Sequence, residues 1–267
     1  MIAAGVIGWP VAHSKSPLIH RFWLGKLGID GDYGRFAVAP ENLAEALRGL
    51  PLLGVAGVNV TVPHKVAALA CLDAVDATAQ AVGAVNTVVV GRDGRLSGTN
   101  TDVDGIARPL AHLDLNGRDA VLIGAGGAAR AALLALKRKG IAAVTVVNRT
   151  PSKAATLLAE LDVVGLAVEP GATIDGAAIV INASVLGMTG SPPLDFDIAM
   201  LGDDTTVFDA VYAPVETPLL VAARARGLPT IDGLQMLVAQ AAAAFELFYG
   251  APAPREHDAE LRARLVA

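Results

Sequence analysis

Ala120-Val121-Leu122-Ile123-Gly124-Ala125-Gly126-Gly127-Ala128-Ala129-Arg130 decides the fold of this chain. A short apolar run leads into a glycine-rich turn, and Ala131-Ala132-Leu133-Leu134-Ala135-Leu136-Lys137 follows as strong helix formers. Strand, glycine turn and helix in that order raise a G-x-G-x-x-G/A match above chance. Gly124 permits the tight turn, Gly126 lets the backbone approach a pyrophosphate, and Ala129 keeps the helix close to the strand. The first-turn N–H groups of such a helix have no partner within it and can receive an anion.

The next apolar run, Ala143-Val144-Thr145-Val146-Val147, ends in Asn148-Arg149-Thr150 rather than in a carboxylate. An acidic residue there would accept from a ribose 2′-hydroxyl and repel a 2′-phosphate. Arg149 instead offers a planar fork to that phosphate, and Asn148 or Thr150 can donate to it. The residues select NADP over NAD.

Bulk properties narrow the class. The 267 residues suffice for one large or two ordinary domains, and 53% are hydrophobic. Mean hydropathy is +0.51, with alanine supplying much of it. The net charge of −5 offers no basic surface to nucleic acid. Cys71 is the single cysteine, so there is no internal disulfide framework, and its apolar neighbours suggest a core residue. The first ten residues lack the basic region of a secretory signal, and the longest uncharged run, 176–194, is broken by glycines and prolines. These features point to a soluble cytoplasmic protein without membrane or nucleic-acid partners.

The first hundred residues alternate short strands and helices. Strands are expected at Ala4–Gly8, Tyr33–Val38, Val58–Val62 and Val85–Val90, the last followed by a Gly91–Arg95 turn. Helices are expected from Ser16-Pro17, over Glu41–Leu50 and from His64 to Leu72. Beyond the glycine turn come strands at Ala178–Asn182, Thr206–Asp209 and Thr230–Ile231, then helices from Gly233 to about Tyr249 and over His257–Val266. This pattern is that of a mostly parallel α/β fold.

Candidate chemistry sits in the first hundred residues. Lys65 follows a strand end and Pro63 at the expected start of a helix, whose N-terminus disfavours a positive charge and helps the amine give up its proton. Asp102, in Gly98-Thr99-Asn100-Thr101-Asp102, is a carboxylate that could hold it, and together they form a proton-transfer couple. Ser14, Ser16, Thr61 and Asn86 belong at strand ends or turns, where α/β sheets bind ligands, and as a set they suit a polyol or hydroxy acid. Taken singly, each is as well explained as a cap or turn residue. His13, His20 and His64 lack paired ligand spacing, so no metal is expected.

These stretches together resemble the shikimate dehydrogenase family. The match covers Gly8–Pro17, Gly57–Lys65, Gly83–Thr87, Gly98–Asp102, the glycine turn, Asn148–Thr150, Asp209–Pro214, Glu216–Leu220 and Gly233–Gln240. The resemblance implies a substrate domain over 1–104 and 234–267 and a Rossmann-like NADP domain over 105–233, with the C-terminal helices returning to the first. It implies that Ser14, Ser16, Thr61, Asn86, Asp102 and Gln240 bind shikimate, with Tyr212 nearby, and that Lys65 is the general acid/base. Gly124, Ala125, Gly126, Gly127, Ala128, Asn148, Arg149, Thr150, Met188 and Gly233 would hold NADP. The implied reaction is reversible reduction of 3-dehydroshikimate by NADPH, in a monomer or homodimer. A quinate/shikimate enzyme of dual specificity and a non-catalytic ligand sensor are the alternatives. One departure stands out: in Asn182-Ala183-Ser184-Val185-Leu186-Gly187-Met188, Ser184 replaces the family's usual Thr and Val185 its Ser, removing a hydroxyl.

Overall fold

Alternating apolar runs and glycine or proline punctuation produce two six-stranded sheets, seen in a computed structural model that describes residues 1–174 and 176–267. The chain divides into one unit of Met1–Thr101 with Val238–Ala267 and a second of Asp102–Leu237.

In the first unit, β1 (Ile2–Gly8) leads to α1 (Ser16–Leu27), β2 (Gly31–Ala37), α2 (Leu43–Gly49) and β3 (Val55–Val60). Then come β4 (Ala74–Val75), α3 (Ala77–Val82), β5 (Thr87–Val90) and β6 (Leu96–Thr99). Pro17 lies in the first turn of α1, and Gly28 ends that helix in the left-handed region, φ 63°, its N–H donating to Leu24 O. The sheet order is β2-β1-β3-β5-β6-β4. β1 runs parallel to β2 and β3, whereas β5 is antiparallel to both β3 and β6. One face packs Ile7, Val58, Val60 and Val88 against Leu43 and Leu47 of α2.

The second unit opens with α4 (Asp102–Ala107) and continues through β7 (Asp119–Ile123), α5 (Gly127–Arg138), β8 (Ala143–Val147), α6 (Pro151–Glu160) and β9 (Gly165–Val168). β10 (Ala177–Asn182), β11 (Thr206–Asp209), α7 (Pro218–Ala225) and β12 (Thr230–Ile231) complete its sheet. All five pairings are parallel, in the order β12-β11-β10-β7-β8-β9. Counted from β7, that is the 3-2-1-4-5-6 arrangement of dinucleotide-binding folds. Every residue of β10 is buried, as a central parallel strand covered on both faces requires. α8 (Gly233–Tyr249) leaves this unit and ends in the first, where α9 (Asp258–Val266) also belongs. Phe245, Phe248 and Tyr249 of α8 join His20, Trp23 and Tyr33 in an aromatic cluster, and Tyr249 Oη donates to Asp32 O at 3.0 Å. No helix among the described residues is long and apolar enough to cross a membrane.

The mixed α/β architecture agrees with the pattern read from the sequence, and two local expectations are corrected. Residues 64–72 do not form an α-helix; a turn precedes a short 3-10 helix at Ala67–Cys71. The loop leading into β5 competes for this backbone: Lys65 O accepts from Val85 N–H at 2.8 Å, which draws it away from a helical ladder. Cys71 accordingly lies half-buried at the margin of the core rather than within it.

Candidate active site

Strand directions gather the polar residues of the first unit at one edge of its sheet. β1 and β3 run toward that edge, so the residues after them, Ser14, Ser16, Thr61 and Lys65, emerge there. β5 is antiparallel, so its start, beside Asn86, lies at the same edge, and β6 returns to it with Asn100 and Thr101. The pairs Asn59–Thr87 and Thr87–Thr99 fix this register.

Local contacts then orient each group. Ser14 Oγ donates to Ser16 Oγ at 3.2 Å, and Arg35 holds the Ser14 carbonyl through Nε and Nη2 at 3.0 and 2.5 Å. Asn86 Oδ1 accepts from Thr101 N–H at 2.7 Å while its Nδ2 donates to Thr101 Oγ1 at 3.0 Å, fixing the residue immediately before Asp102. The backbone around Lys65 is tied on both sides: Val85 N–H reaches Lys65 O, and the neighbouring His64 Nε2 bonds Val38 O at 2.8 Å. Lys65 is half-buried at a turn. Contrary to the sequence expectation, it does not open an α-helix, so no α-helix dipole acts on its amine. Gln240 is buried in α8, and Asp102 opens α4 in the second unit.

The glycine turn of the second unit has the shape that its sequence suggests. Gly124 takes φ +109°, and a Cβ there would lie 3.1 Å from Ala183 O. Gly126 caps α5 in an extended conformation, and a Cβ on it would meet nothing within 4 Å, so the space above the first turn is open. Ala129 is fully buried against the strand. Ala125, Gly127 and Ala128 complete the turn, partly exposed. Asn148 Nδ2 donates to Thr150 O at 2.9 Å, whereas Arg149 projects into solvent. This combination fits a phosphorylated dinucleotide: room at the helix N-terminus, and an exposed guanidinium without a competing carboxylate at the end of β8.

A cavity of about 270 Å³ beside that turn is lined by Ala125, Arg130, Ser152, Lys153, Thr156 and Leu157. Arg130 is paired with Glu160 at 2.5 Å. Lys153 escaped the sequence reading, although its place in the first turn of α6, just past Asn148-Arg149-Thr150, was a usable signal.

Beyond β10 and β11 the loops are organised by Asn182 and Asp209. Asp209 is buried; its Oδ1 accepts from Val211 N–H and Asn182 Nδ2, and its Oδ2 from Thr217 Oγ1 at 2.7 Å. Burial pushes its carboxyl pKa up, against the pull of these three donors. This anchors the loop carrying Tyr212, and Thr189 N–H, next to Met188, donates to Ala213 O at 2.7 Å. Ser184 Oγ donates to Asn182 Oδ1 at 2.7 Å and accepts from Leu186 N–H at 3.1 Å. The hydroxyl that shapes this turn is thus retained, and Val185 is an exposed residue beside it. Gly233 lies against the same region; a Cβ would come within 2.3 Å of Val211 O.

Fold and site together define a two-unit protein with a dinucleotide-binding α/β unit and a second sheet carrying a lysine among hydroxyl and amide groups. The shikimate dehydrogenase substrate binding domain matches residues 6–88, the shikimate/quinate 5-dehydrogenase domain 106–185, and the shikimate 5′-dehydrogenase C-terminal domain 233–260. The chain is 51% identical over 267 residues to the shikimate dehydrogenase (NADP(+)) of Sphingopyxis alaskensis, covering 99% of this chain and 97% of that one. Shikimate 5-dehydrogenase from Thermus thermophilus, solved with NADP(H) and shikimate, superposes with a TM-score of 0.89 at 37% identity, over 99% of this chain and 100% of that one. Quinate dehydrogenase from Corynebacterium glutamicum, solved with NAD, gives 0.89 at 34% identity, over 98% and 99%. The chain belongs to the shikimate dehydrogenase family.

Proposed function

We propose that this NADP-dependent oxidoreductase reversibly reduces 3-dehydroshikimate to shikimate, with Lys65 as general acid/base and Asp102 as its companion carboxylate. The observation that carries the reading is the gathering of Ser14, Ser16, Thr61, Lys65 and Asn86 at one edge of the first sheet. One proton-transferring amine among hydroxyl and amide groups suits a ring with several hydroxyls and one reacting carbonyl. Ser14, Ser16, Thr61, Asn86, Tyr212 and Gln240 hold the substrate. When bound, NADPH supplies the hydride. Lys65 Nζ gives its proton to the carbonyl oxygen as that oxygen gains charge, and takes it back in the oxidative direction. Asp102 accepts from a substrate hydroxyl.

The open first turn of α5, with Gly124–Ala128, receives the pyrophosphate, and Asn148, Arg149 and Thr150 receive the adenosine phosphate. Met188 and Gly233 complete the cofactor set. The substrate-binding role falls to 1–104 with 234–267 and the cofactor-binding role to 105–233. The setting is cytoplasmic, and the protein acts as a monomer or homodimer.

Initial rates of cofactor reduction, measured with shikimate and quinate and with NADP+ and NAD+, test this reading. Turnover of shikimate with NADP+ alone is expected. Comparable rates with quinate or NAD+ would assign dual specificity instead, and nucleotide binding without turnover would make the protein a sensor.

A further inference from the structure

Lys15 stands between Ser14 and Ser16, where the loop after β1 enters α1, and its side chain reaches away from both. It is the N-cap residue of α1, with φ −88° and ψ −3°, yet its side chain caps no amide of that helix. Ser, Thr, Asp and Asn are the residues favoured there, and a cation so placed meets the positive end of the helix dipole. Lys15 Nζ instead donates to Leu265 O, in the last turn of α9. The last four carbonyls of a helix have no partner within it, and the negative end of the dipole favours a cation beside them. A lysine that suits its own helix poorly therefore suits the end of another one well.

α9 is well seated on the first unit, with Leu261 and Leu265 fully buried. Lys26, near the end of α1, pairs with Glu260 at 2.6 Å, and Glu260 also accepts from Arg264 at 2.7 Å. Lys26 Nζ and Arg264 Cζ lie 5.3 and 4.9 Å from the centroid of the Phe22 ring, and His257 meets that ring edge-on at 6.4 Å. α1 and α9 therefore run antiparallel, the start of each against the end of the other. From β2, Arg35 holds the Ser14 carbonyl. The stretch from Ser14 to Ser16 is thus pinned twice, by the sheet through Ser14 O and by the last helix through Lys15 Nζ. Between these two points Ser16 N–H donates to Ser14 Oγ at 3.3 Å.

We propose that Lys15 is a positioning residue for the substrate: its ammonium, held by the carbonyl end of α9, fixes the Ser14–Ser16 stretch in the form that receives the ligand. A loop ordered beforehand loses less freedom on binding. This inference rests on the reading of Ser14 and Ser16 as shikimate-binding groups. Lys15→Met isolates it, because a long flexible stem remains and only the donor goes. Lys15→Arg keeps donors on a stem of similar reach.

Calorimetric binding of shikimate and of NADP+ separately, steady-state rates, and amide hydrogen exchange read by mass spectrometry test it. Lys15→Met is expected to raise the Kd and KM for shikimate about three- to tenfold. kcat should change by less than about twofold, and the NADP+ Kd should not move. Exchange should quicken in the Ser14–Ser16 stretch and in the last turn of α9 together, and Lys15→Arg should recover both the Kd and the protection. Lys26→Met, which loosens the other end of the same helix pair, should leave the shikimate Kd unchanged. An unchanged Kd in Lys15→Met, with Ser14→Ala or Ser16→Ala weakened, overturns the inference and leaves the ligand reading intact. Weaker binding in Lys15→Met with exchange in α9 unmoved also overturns it, since Lys15 would then not act through that helix. Equal weakening in Lys26→Met overturns it too, because the seating of α9 as a whole would then be the cause. Unaltered binding in both Ser14→Ala and Ser16→Ala overturns the inference and the ligand reading alike.

Discussion

His20 sets the pH dependence of stability in the first unit, with a sign and size that follow from its surroundings. The ring is fully buried, stacked on Tyr33 and edge-on to Trp23 at 6.0 Å, and neither ring nitrogen has a hydrogen-bond partner among the described residues. A charged imidazole there would be desolvated and unpaired. Burial accordingly lowers its pKa from 6.5 to about 3. The unfolded chain protonates His20 near its ordinary value, whereas the folded chain does not until far lower pH. This contribution is thus present above pH 6.5 and lost as pH falls from there toward 3. Between pH 7.5 and pH 5 one group with these values costs about 2 kcal/mol of stability. Urea unfolding followed by tryptophan fluorescence measures it well, because Trp9 and Trp23 are the two tryptophans of the chain and both lie in the first unit. His20→Leu, close in volume, removes the proton site. The unmodified protein should lose about 2 kcal/mol more than His20→Leu over that range. Parallel profiles would refute the reasoning, since they require a folded-state imidazole that takes up its proton as readily as an unfolded one.

Lys65→Ala is expected to lower kcat by about 10²–10⁴-fold with shikimate binding nearly intact by calorimetry; a small drop in kcat removes the acid/base role. Arg149→Ala should weaken NADP+ far more than NAD+ in direct titrations, and equal weakening would count against a phosphate clamp at the end of β8. Gly233→Ala places a Cβ within 2.3 Å of Val211 O and 2.6 Å of Ala210 O, both backbone atoms. The expected cost is about 1–3 kcal/mol or more, read as a lower calorimetric transition for the second unit; an unshifted transition would mean that α8 can move away from that loop without penalty.

The parts of this protein legible in its sequence are those determined by neighbours along the chain. Ala143–Val147, Thr206–Asp209 and Thr230–Ile231 are strands with the bounds their apolar runs suggest, and Gly233–Tyr249 is the helix expected before Gly250. The glycine turn was readable because its strand and helix flank it directly. Ser14, Thr61 and Asn86 stood out as polar residues at the ends of apolar segments, the place where a sheet delivers side chains to a ligand. What escaped depends on contacts distant in sequence. The Val66-Ala67-Ala68-Leu69 stretch suits a helix, yet Val85 N–H claims the Lys65 carbonyl and leaves only a short 3-10 turn. β4 has two residues, and the helix after it is marked by its Asp76 cap, which accepts from Ala79 N–H, rather than by an apolar stripe. Tyr33 reads as an ordinary strand tyrosine, because its partner Asn59 lies 26 positions away and meets it only once β1 has placed β2 and β3 on either side of itself. Candidate site groups such as Ser14, Thr61 and Asn86 can therefore be found one by one along the chain, whereas contacts such as that of Tyr33 with Asn59 exist only as pairs, and pairing across parallel strands is a property of the sheet.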